Sequence, residues 1–157
     1  MSVSSVVTAG TRPPTSAGPA RVEWLGVAAL PSAVPVARYF TRALLGSWDA
    51  WEAHGWECQQ VISELVSNAL DATASDPDLA TRAIAMILLR FQLSAEHLII
   101  EVRDDSPASP QVGRAALLDE GGRGLLLAAT LASSWGTYAL TDGKVVWAAW
   151  ELAPETP

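Results

Sequence analysis

The sequence predicts an α/β fold, a two-layer α+β sandwich in which a mixed, mostly antiparallel sheet carries its helices on one face. Three observations support this prediction. The chain has 157 residues, of which 50% are hydrophobic, so it can bury one core. Segments with strand and helix patterns follow in the order β-α-α-β-β-loop-α-β-β. One helix is strongly amphipathic, which gives it a face to pack on a sheet.

The first segments set the predicted domain boundaries. Residues 1–20 are mostly Ser, Thr, Gly, Pro and Ala with little to bury, so we expect a disordered tail followed by one domain over residues 21–153. The alternation of residues 22–30 predicts a strand. Ser32 can then cap a helix that reaches to about Trp48.

A longer amphipathic helix is predicted over residues 56–73, after a loop over residues 49–55. At 3.6 residues per turn, one side is apolar: Cys58, Val61, Ile62, Leu65, Val66, Ala69 and Ala72. The other side is polar: Gln60, Ser63, Glu64, Ser67, Asn68 and Asp71. This separation predicts a helix that packs with one face and offers the other to solvent or to a ligand.

Glu64 and Asn68 are the chemically notable pair on the polar side. They are four residues apart, so their side chains lie one above the other on the same edge of the helix. A carboxylate can act as a general base, and a carboxamide oxygen can coordinate Mg²⁺. The alternative is a merely solvated helix face, and the helix alone does not decide between the two.

The second half of the chain is predicted to complete the sheet. Strands are predicted over residues 83–93, 98–103, 135–140 and 144–152. The last two form a hairpin, for which the Asp142-Gly143 pair is the turn signal. Between the strand pairs, a loop rich in Pro, Gly, Ser and charge reaches Gly121, and a helix follows to about Ser133.

Two features of this half are candidates for ligand contacts. The run Gly121-Gly122-Arg123-Gly124 opens the last helix, where free N–H groups and the helix dipole favour phosphate oxygens. Asp104, at the end of a strand, can accept a hydrogen bond from a buried amine such as that of adenine. Taken alone, each is also explained as an ordinary turn.

Composition excludes several classes of partner. The formal charge is −7 and no basic stripe exists, so nucleic acid is not an expected partner. No apolar stretch is long enough for a membrane span, and the N-terminus lacks the pattern of a secretory signal. Cys58 is the one cysteine, and neither His54 nor His97 has a second ligand at metal spacing. We expect a cytoplasmic protein.

Three segments, in order, resemble the motifs of the GHKL superfamily of ATP-binding domains, which includes gyrase, MutL and histidine kinases. Glu64-Leu-Val-Ser-Asn68-Ala resembles its N box, Val102-Arg-Asp104-Asp-Ser-Pro its G1 box and Gly122-Arg-Gly124-Leu-Leu-Leu its G2 box. Within the superfamily, the chain is most similar to the anti-sigma-factor serine/threonine kinases, over about residues 22–152. The resemblance implies the Bergerat ATP-binding fold.

The resemblance also implies a role for each motif residue in binding ATP and Mg²⁺. Asn68 would coordinate Mg²⁺, and Glu64 would be the catalytic base that activates a serine hydroxyl of a protein substrate. Asp104 would accept a hydrogen bond from the adenine amine, with Ser106 beside it. The other residues expected at the nucleotide are Asp71, Gly122, Arg123, Gly124 and Leu125.

Partners follow from the resemblance alone. It implies a sigma factor, an anti-anti-sigma (STAS-type) antagonist protein, or both, and it implies a homodimer. The chain would then be a serine protein kinase and anti-sigma factor that regulates transcription by partner switching.

Four residues depart from the family pattern and keep an alternative open. Ser106 and Ala108 replace glycines of the wider superfamily's G1 box, and Ala72 stands where relatives often carry histidine. Asp71 adds a carboxylate that would face a polyphosphate. The alternative is a degenerate module that regulates a partner by binding alone, with weak or no nucleotide binding. An ATP-driven clamp like that of MutL is not expected, because we expect no second domain.

Seven tryptophans are many for this length. Four lie in or near the first strand and the first helix, where they mark either a protein interface or the core: Trp24, Trp48, Trp51 and Trp56. By parity, Trp147 and Trp150 face opposite sides of the last strand, so we expect at least one of them to be exposed.

Overall fold

The computed structural model describes residues 8–9, 11–80, 85–107 and 122–153. The strands are β1 (Thr8–Ala9), β2 (Arg21–Ala28), β3 (Met86–Leu93), β4 (His97–Asp104), β5 (Ser134–Leu140) and β6 (Gly143–Glu151). The helices are α1 (Ala33–Ser47), α2 (Trp51–Ser75), α3 (Pro77–Ala80) and α4 (Gly122–Leu131).

The described strands form one sheet in the order β1-β5-β6-β4-β3-β2. All neighbouring strands are antiparallel except β1 and β5, which are parallel. In this register Leu89 of β3 lies opposite Val102 of β4, and Asp104 of β4 lies opposite Lys144 of β6. The predicted mixed, mostly antiparallel sheet is confirmed.

The three longer helices cover one face of the sheet. Helix α1 contacts β2, α2 contacts β3, β4 and β6, and α4 contacts β5, so the helices lie in the order α1, α2, α4 across the sheet. Buried side chains of both layers form one core, which includes Leu65 of α2 together with Phe91, Ile100 and Trp150 of the strands. The two-layer sandwich is as predicted, and α2 is its central helix.

Helix α2 begins five residues earlier than predicted. Residues 51–55 are helical, although Gly55 and the neighbouring turn residues indicated a loop. The Trp51 ring folds over Gly55, and a Cβ on Gly55 would lie 2.2 Å from the ring. Glycine here makes room for a packed indole one turn away, so it extends the helix rather than breaking it. The preceding turn is made by Asp49, whose φ is 57°.

Part of the segment predicted to be a disordered tail contacts the sheet. The Trp147 indole N–H donates a hydrogen bond to the Thr11 carbonyl at 2.8 Å, and the Ser16 and Ser94 hydroxyls share one at 2.6 Å. Residues 11–20 thus cross the face of the sheet that carries no helix, and we call them the N-terminal strap. The strap has little apolar surface, so its attachment depends on polar groups that composition does not reveal. Residues 1–7 and 10 lie outside the description.

The tryptophans divide between the two faces. Trp150 belongs to the helix-side core and Trp147 packs on the other face with Ile99, which confirms the parity prediction. The prediction that one of them is exposed is wrong, because Trp147 is covered beside the strap and both have 4% exposure or less. In the first half of the chain, Trp24 and Trp56 are exposed. The other two, Trp48 and Trp51, pack against the core.

Candidate functional site

The paired central strands β4 and β6 define two ends of the sandwich. β4 finishes at Asp104, opposite Lys144, whereas Trp150 lies at the other end of β6. The Trp150 indole N–H donates to Glu57 Oε2 of α2 at 3.0 Å and to the carbonyl oxygen of Leu131, the last residue of α4, at 2.9 Å. The first turns of α2 and the last turn of α4 therefore lie at the Trp150 end.

The motif segments lie toward the Asp104 end. Helix α2 runs away from Trp150, and the chain that leaves it enters β3 at Met86, close to the end of β4. Helix α4 packs along α2 and ends beside Trp150. Its first turn, which begins at Gly122, is therefore the turn nearest the Asp104 end. The later turns of α2, the end of β4 and the start of α4 thus approach one another.

Glu64 and Asn68 lie on the edge of α2 that is turned toward α4. The opposite edge is tied to α1 by Arg38. Its guanidinium donates to the Ser63 hydroxyl at 2.6 Å, and its backbone carbonyl accepts from the Gln59 side-chain amide at 3.1 Å. Glu64 and Asn68 are each partly exposed. They are therefore held on a helix that is tied to its neighbour, with part of their surface accessible.

Asp71, one turn beyond Asn68, is exposed. Asp71 is thus free to face solvent at the same end of the helix, and its carboxylate adds negative charge near Asn68.

Asp104 is a buried carboxyl group with 1% exposure. Its Oδ1 accepts hydrogen bonds from the Ser106 N–H at 2.9 Å and from the Ser106 hydroxyl. Its Oδ2 lies 3.9 Å from Lys144 Nζ, too far for a hydrogen bond, so this oxygen retains acceptor capacity. Burial raises the pKa of the Asp104 carboxyl, an effect that the Ser106 hydrogen bonds and the Lys144 charge partly offset.

Gly143 allows β6 to approach the backbone of Asp104 closely. Its φ is 155°, and a Cβ there would lie 2.2 Å from the carbonyl oxygen of Asp104. Any other residue at position 143 would displace the end of β4. Gly143 and Lys144 are site residues that the sequence analysis missed, because their proximity to Asp104 depends on the register between β4 and β6.

The remaining predicted site residues have different places. Ser106 is buried, and its N–H donates to Asp104. Gly122, Arg123 and Gly124 form the start of α4, where N–H groups lack helical partners. The Leu125 side chain lies in the hydrophobic core, so only its backbone is suited to a ligand. Ala108 lies outside the described residues.

Neither a metal cluster nor a membrane helix occurs in the described ranges. Among these residues, no three His, Cys, Asp or Glu side chains are grouped as metal ligands. None of the described helices is long and apolar enough to cross a membrane.

Comparisons with known proteins identify the family and the fold. The model of a family described as histidine kinase-like ATPase domain matches residues 27–150. The fold is similar to a crystal structure of the RsbU and RsbW domains of Rv1364c from Mycobacterium tuberculosis, with a TM-score of 0.54 and 17% sequence identity. That match covers 86% of this chain and 34% of the other, so this chain spans about a third of its length. No curated protein matches the sequence.

Proposed function

The chain belongs to the family of histidine kinase-like ATPase domains, and from this premise we propose that it binds Mg·ATP and acts as a serine protein kinase and anti-sigma factor. One observation carries the proposal. The accessible Glu64 and Asn68 edge of α2, the buried Asp104 and the start of α4 approach one another at one end of the sandwich. The domain is proposed to extend over residues 21–153.

The described residues fit a nucleotide with its metal. Mg²⁺ in proteins is usually held by one or two side chains together with substrate phosphates, so the Asn68 amide oxygen with phosphate oxygens would suffice. The unoccupied Oδ2 of Asp104 suits the amine of adenine, which donates. The free N–H groups of Gly122, Arg123 and Gly124 suit the phosphates. Asp71 lies close enough in sequence to Asn68 to influence the charge there.

Glu64 is proposed as the base for phosphoryl transfer. The oxygen of a substrate serine forms a bond to the γ-phosphorus, the bond from that phosphorus to the bridging oxygen breaks, and ADP leaves. The serine proton passes to the Glu64 carboxylate. Glu64 is one helical turn from Asn68, so base and metal ligand would act from the same edge of α2.

The regulatory part of the proposal concerns protein partners. We propose a sigma factor, a STAS-type antagonist protein or both as partners, a homodimer as the assembly and the cytoplasm as the location. The RsbW domain named for the structural neighbour supports this class of partner. Tyr39 of α1 and Trp56 of α2 are 78% and 62% exposed, and exposed aromatic side chains of this kind are typical anchors of protein interfaces.

A specific observation favours the second candidate, a module that regulates its partner by binding alone. Ser106 donates both its N–H and its hydroxyl to one oxygen of Asp104. In a G1 box with glycine at this position, the hydroxyl bond would not exist. The Ser106 hydroxyl bond to Asp104 and the exposed carboxylate of Asp71 together lower the expected affinity for ATP.

Calorimetric titration with ATP tests the binding step. We expect wild type to bind ATP in a Mg²⁺-dependent way, Asn68→Ala to lose most of the Mg²⁺ dependence and Asp104→Asn to bind more weakly. Gln60→Ala, two turns before Asn68 on the same helix, is the matched control and should bind as wild type does. If wild type binds no nucleotide at millimolar concentration, the binding module is the better account.

Glu64→Gln separates phosphoryl transfer from binding. A base of this kind contributes about 10² to 10⁴ in rate, so transfer to a partner protein should fall by that factor while ATP affinity stays near that of wild type. Transfer that persists at the wild-type rate would remove Glu64 as the base but leave the ATP site intact.

A further inference from the structure

A cavity of about 290 Å³ lies on the face of the sheet that carries no helix. The N-terminal strap covers the part of this face around Ile99 and Trp147, and the cavity occupies the remaining part. Its side walls are Trp24 of β2 and Tyr138 of β5, and we call it the open-face cavity. Small-molecule sites begin at roughly this volume and combine apolar walls with a few placed polar groups.

The one acidic side chain in the lining of the open-face cavity, Glu101, is already paired with an arginine, Arg90. Glu101 is buried, accepts a hydrogen bond from Arg90 at 2.7 Å and accepts another from the Tyr138 hydroxyl at 3.0 Å. Burial, followed by the Glu101 charge, raises the pKa of Tyr138 to about 12. Tyr138 therefore remains a protonated donor to Glu101 at neutral pH.

A cationic group remains without a counter-charge. Arg103 lines the open-face cavity, and none of the described residues forms an ion pair with it. Arg12 of the strap adds a second guanidinium at the rim, 4.3 Å above the Tyr138 ring. The cavity lining thus holds two arginines, Arg90 and Arg103, and a single acid, Glu101, in a chain whose formal charge is −7. Such a local excess of positive charge selects anions.

The apolar side chains of the cavity favour a ligand with an apolar ring in addition to its anionic group. Trp24 is 54% exposed and stands at the edge of the cavity, while Leu88 and Val145 are part of its lining. An exposed indole beside aliphatic side chains favours a flat ring over a hydrated ion. The guanidinium of Arg103 matches a carboxylate with two parallel hydrogen bonds.

We propose that the open-face cavity binds a small aromatic carboxylate, with Arg103 on the carboxylate and Trp24 against the ring. This site is separate from the candidate ATP site. Arg103 and Asp104 are neighbours on β4, so their side chains point to opposite faces of the sheet, Arg103 into the cavity and Asp104 toward the helices. The proposal does not depend on ATP binding.

Two matched probes, 2-naphthoate and its neutral amide 2-naphthamide, test the proposal by calorimetric titration of the full chain. We expect naphthoate to bind at least about tenfold more tightly, since a hydrogen-bonded ion pair is worth that much. Arg103→Gln should remove this difference. Arg21→Gln is the matched control, because Arg21 lies on β2 but is not part of the cavity lining, and it should retain the difference. Trp24→Ala should weaken both probes.

Three outcomes would overturn the proposal. Equal binding of the two probes would show that charge is not selected, and an unchanged preference in Arg103→Gln would show that the anion binds elsewhere. The third concerns self-association: if sedimentation shows a wild-type dimer that Trp24→Ala converts to a monomer, a second copy of the chain occupies this face. Unaltered circular dichroism of each variant confirms that the fold is retained.

Discussion

The two faces of the sheet are covered in different ways, one by helices and the other in part by the N-terminal strap. The face toward the helices is closed by amphipathic helices whose apolar residues recur at helical spacing, such as Leu65 and Ala69 of α2. The other face is closed in part by a strap that is held by polar contacts such as the Trp147 to Thr11 hydrogen bond. The first kind of cover is stabilised mainly by burial of apolar surface, whereas the second depends on individual hydrogen bonds.

The difference also separates the proposed activities. The face toward the helices holds the candidate ATP site at one end, where rigid elements position Asn68 and Asp104. The open face holds a cavity with a paired acid, Glu101, and with Arg103, which forms no ion pair with any residue that the structure describes. One sheet can thus present two chemically distinct sites, because successive side chains of a strand such as β4 alternate between its faces.

Removing core volume on the helix side should have the largest effect on stability. Leu65 is 1% exposed, so Leu65→Ala should lower the free energy of unfolding by about 2–5 kcal/mol. Val22, which is exposed on β2, is the control, and Val22→Ala should change it by no more than about 0.5 kcal/mol. Urea unfolding measures both. Equal losses would contradict the assignment of α2 as the central element of the core.

Gly143→Ala should have the next largest effect, and it should also disturb the site. A Cβ would lie 2.2 Å from the Asp104 carbonyl oxygen at a φ of 155°, so we expect a loss of about 1–3 kcal/mol. Gly46 of α1 has no atom within 4 Å of such a Cβ, and Gly46→Ala should alter stability by less than about 1 kcal/mol. Thermal unfolding compares the two. A neutral Gly143→Ala would mean that β6 does not approach β4 this closely.

The indole groups of Trp150 and Trp147 allow a direct comparison of the two faces. Trp150→Phe removes a donor to Glu57 and Leu131, one of them a carboxylate, and should cost about 1.5–3 kcal/mol. Trp147→Phe removes one donor, to Thr11, and should cost about 0.5–1.5 kcal/mol. In a chain that lacks residues 1–16, Trp147→Phe should cost still less. An unchanged cost in the shortened chain would show that the strap does not hold Trp147.

The smallest expected effect is the alkaline dependence of stability, which should report the polar network of the open face. The pKa of Tyr138 is raised from an ordinary value of 10.0 to about 12, so the folded state holds this proton more tightly than the unfolded state. The resulting stabilisation is fully present below pH 10 and is lost as the pH rises toward 12. Unfolding at several alkaline pH values should therefore show a steeper decline for wild type than for Tyr138→Phe. Parallel declines would exclude this network.

The parts of the fold that follow local rules could be predicted from the sequence. The apolar stripe of α2, the Asp142-Gly143 turn signal and the opposite orientation of Trp147 and Trp150 each depend on spacing along the chain. The same is true of the Glu64 and Asn68 pair, which helical periodicity places on one edge.

The parts that depend on distant contacts could not be predicted. Gly55 indicated a loop because nothing local shows that the Trp51 ring would pack over it. The strap was expected to be disordered because its hydrogen bonds are made with Ser94 and Trp147, far along the sequence. Lys144 was missed because its position beside Asp104 depends on strand register. The open-face cavity likewise requires the pairing of five strands before its charges can be counted.

A nuclear magnetic resonance titration of the labelled protein with Mg·ATP observes both faces of the sheet at once and so tests where the nucleotide binds. We expect the signals of the Asn68 side-chain amide and of the Ser106 and Gly124 backbone amides to shift together. The Trp24 indole signal on the open face should remain in place. Shifts confined to the open face, or none at millimolar Mg·ATP, would contradict a nucleotide site between α2, the end of β4 and the start of α4.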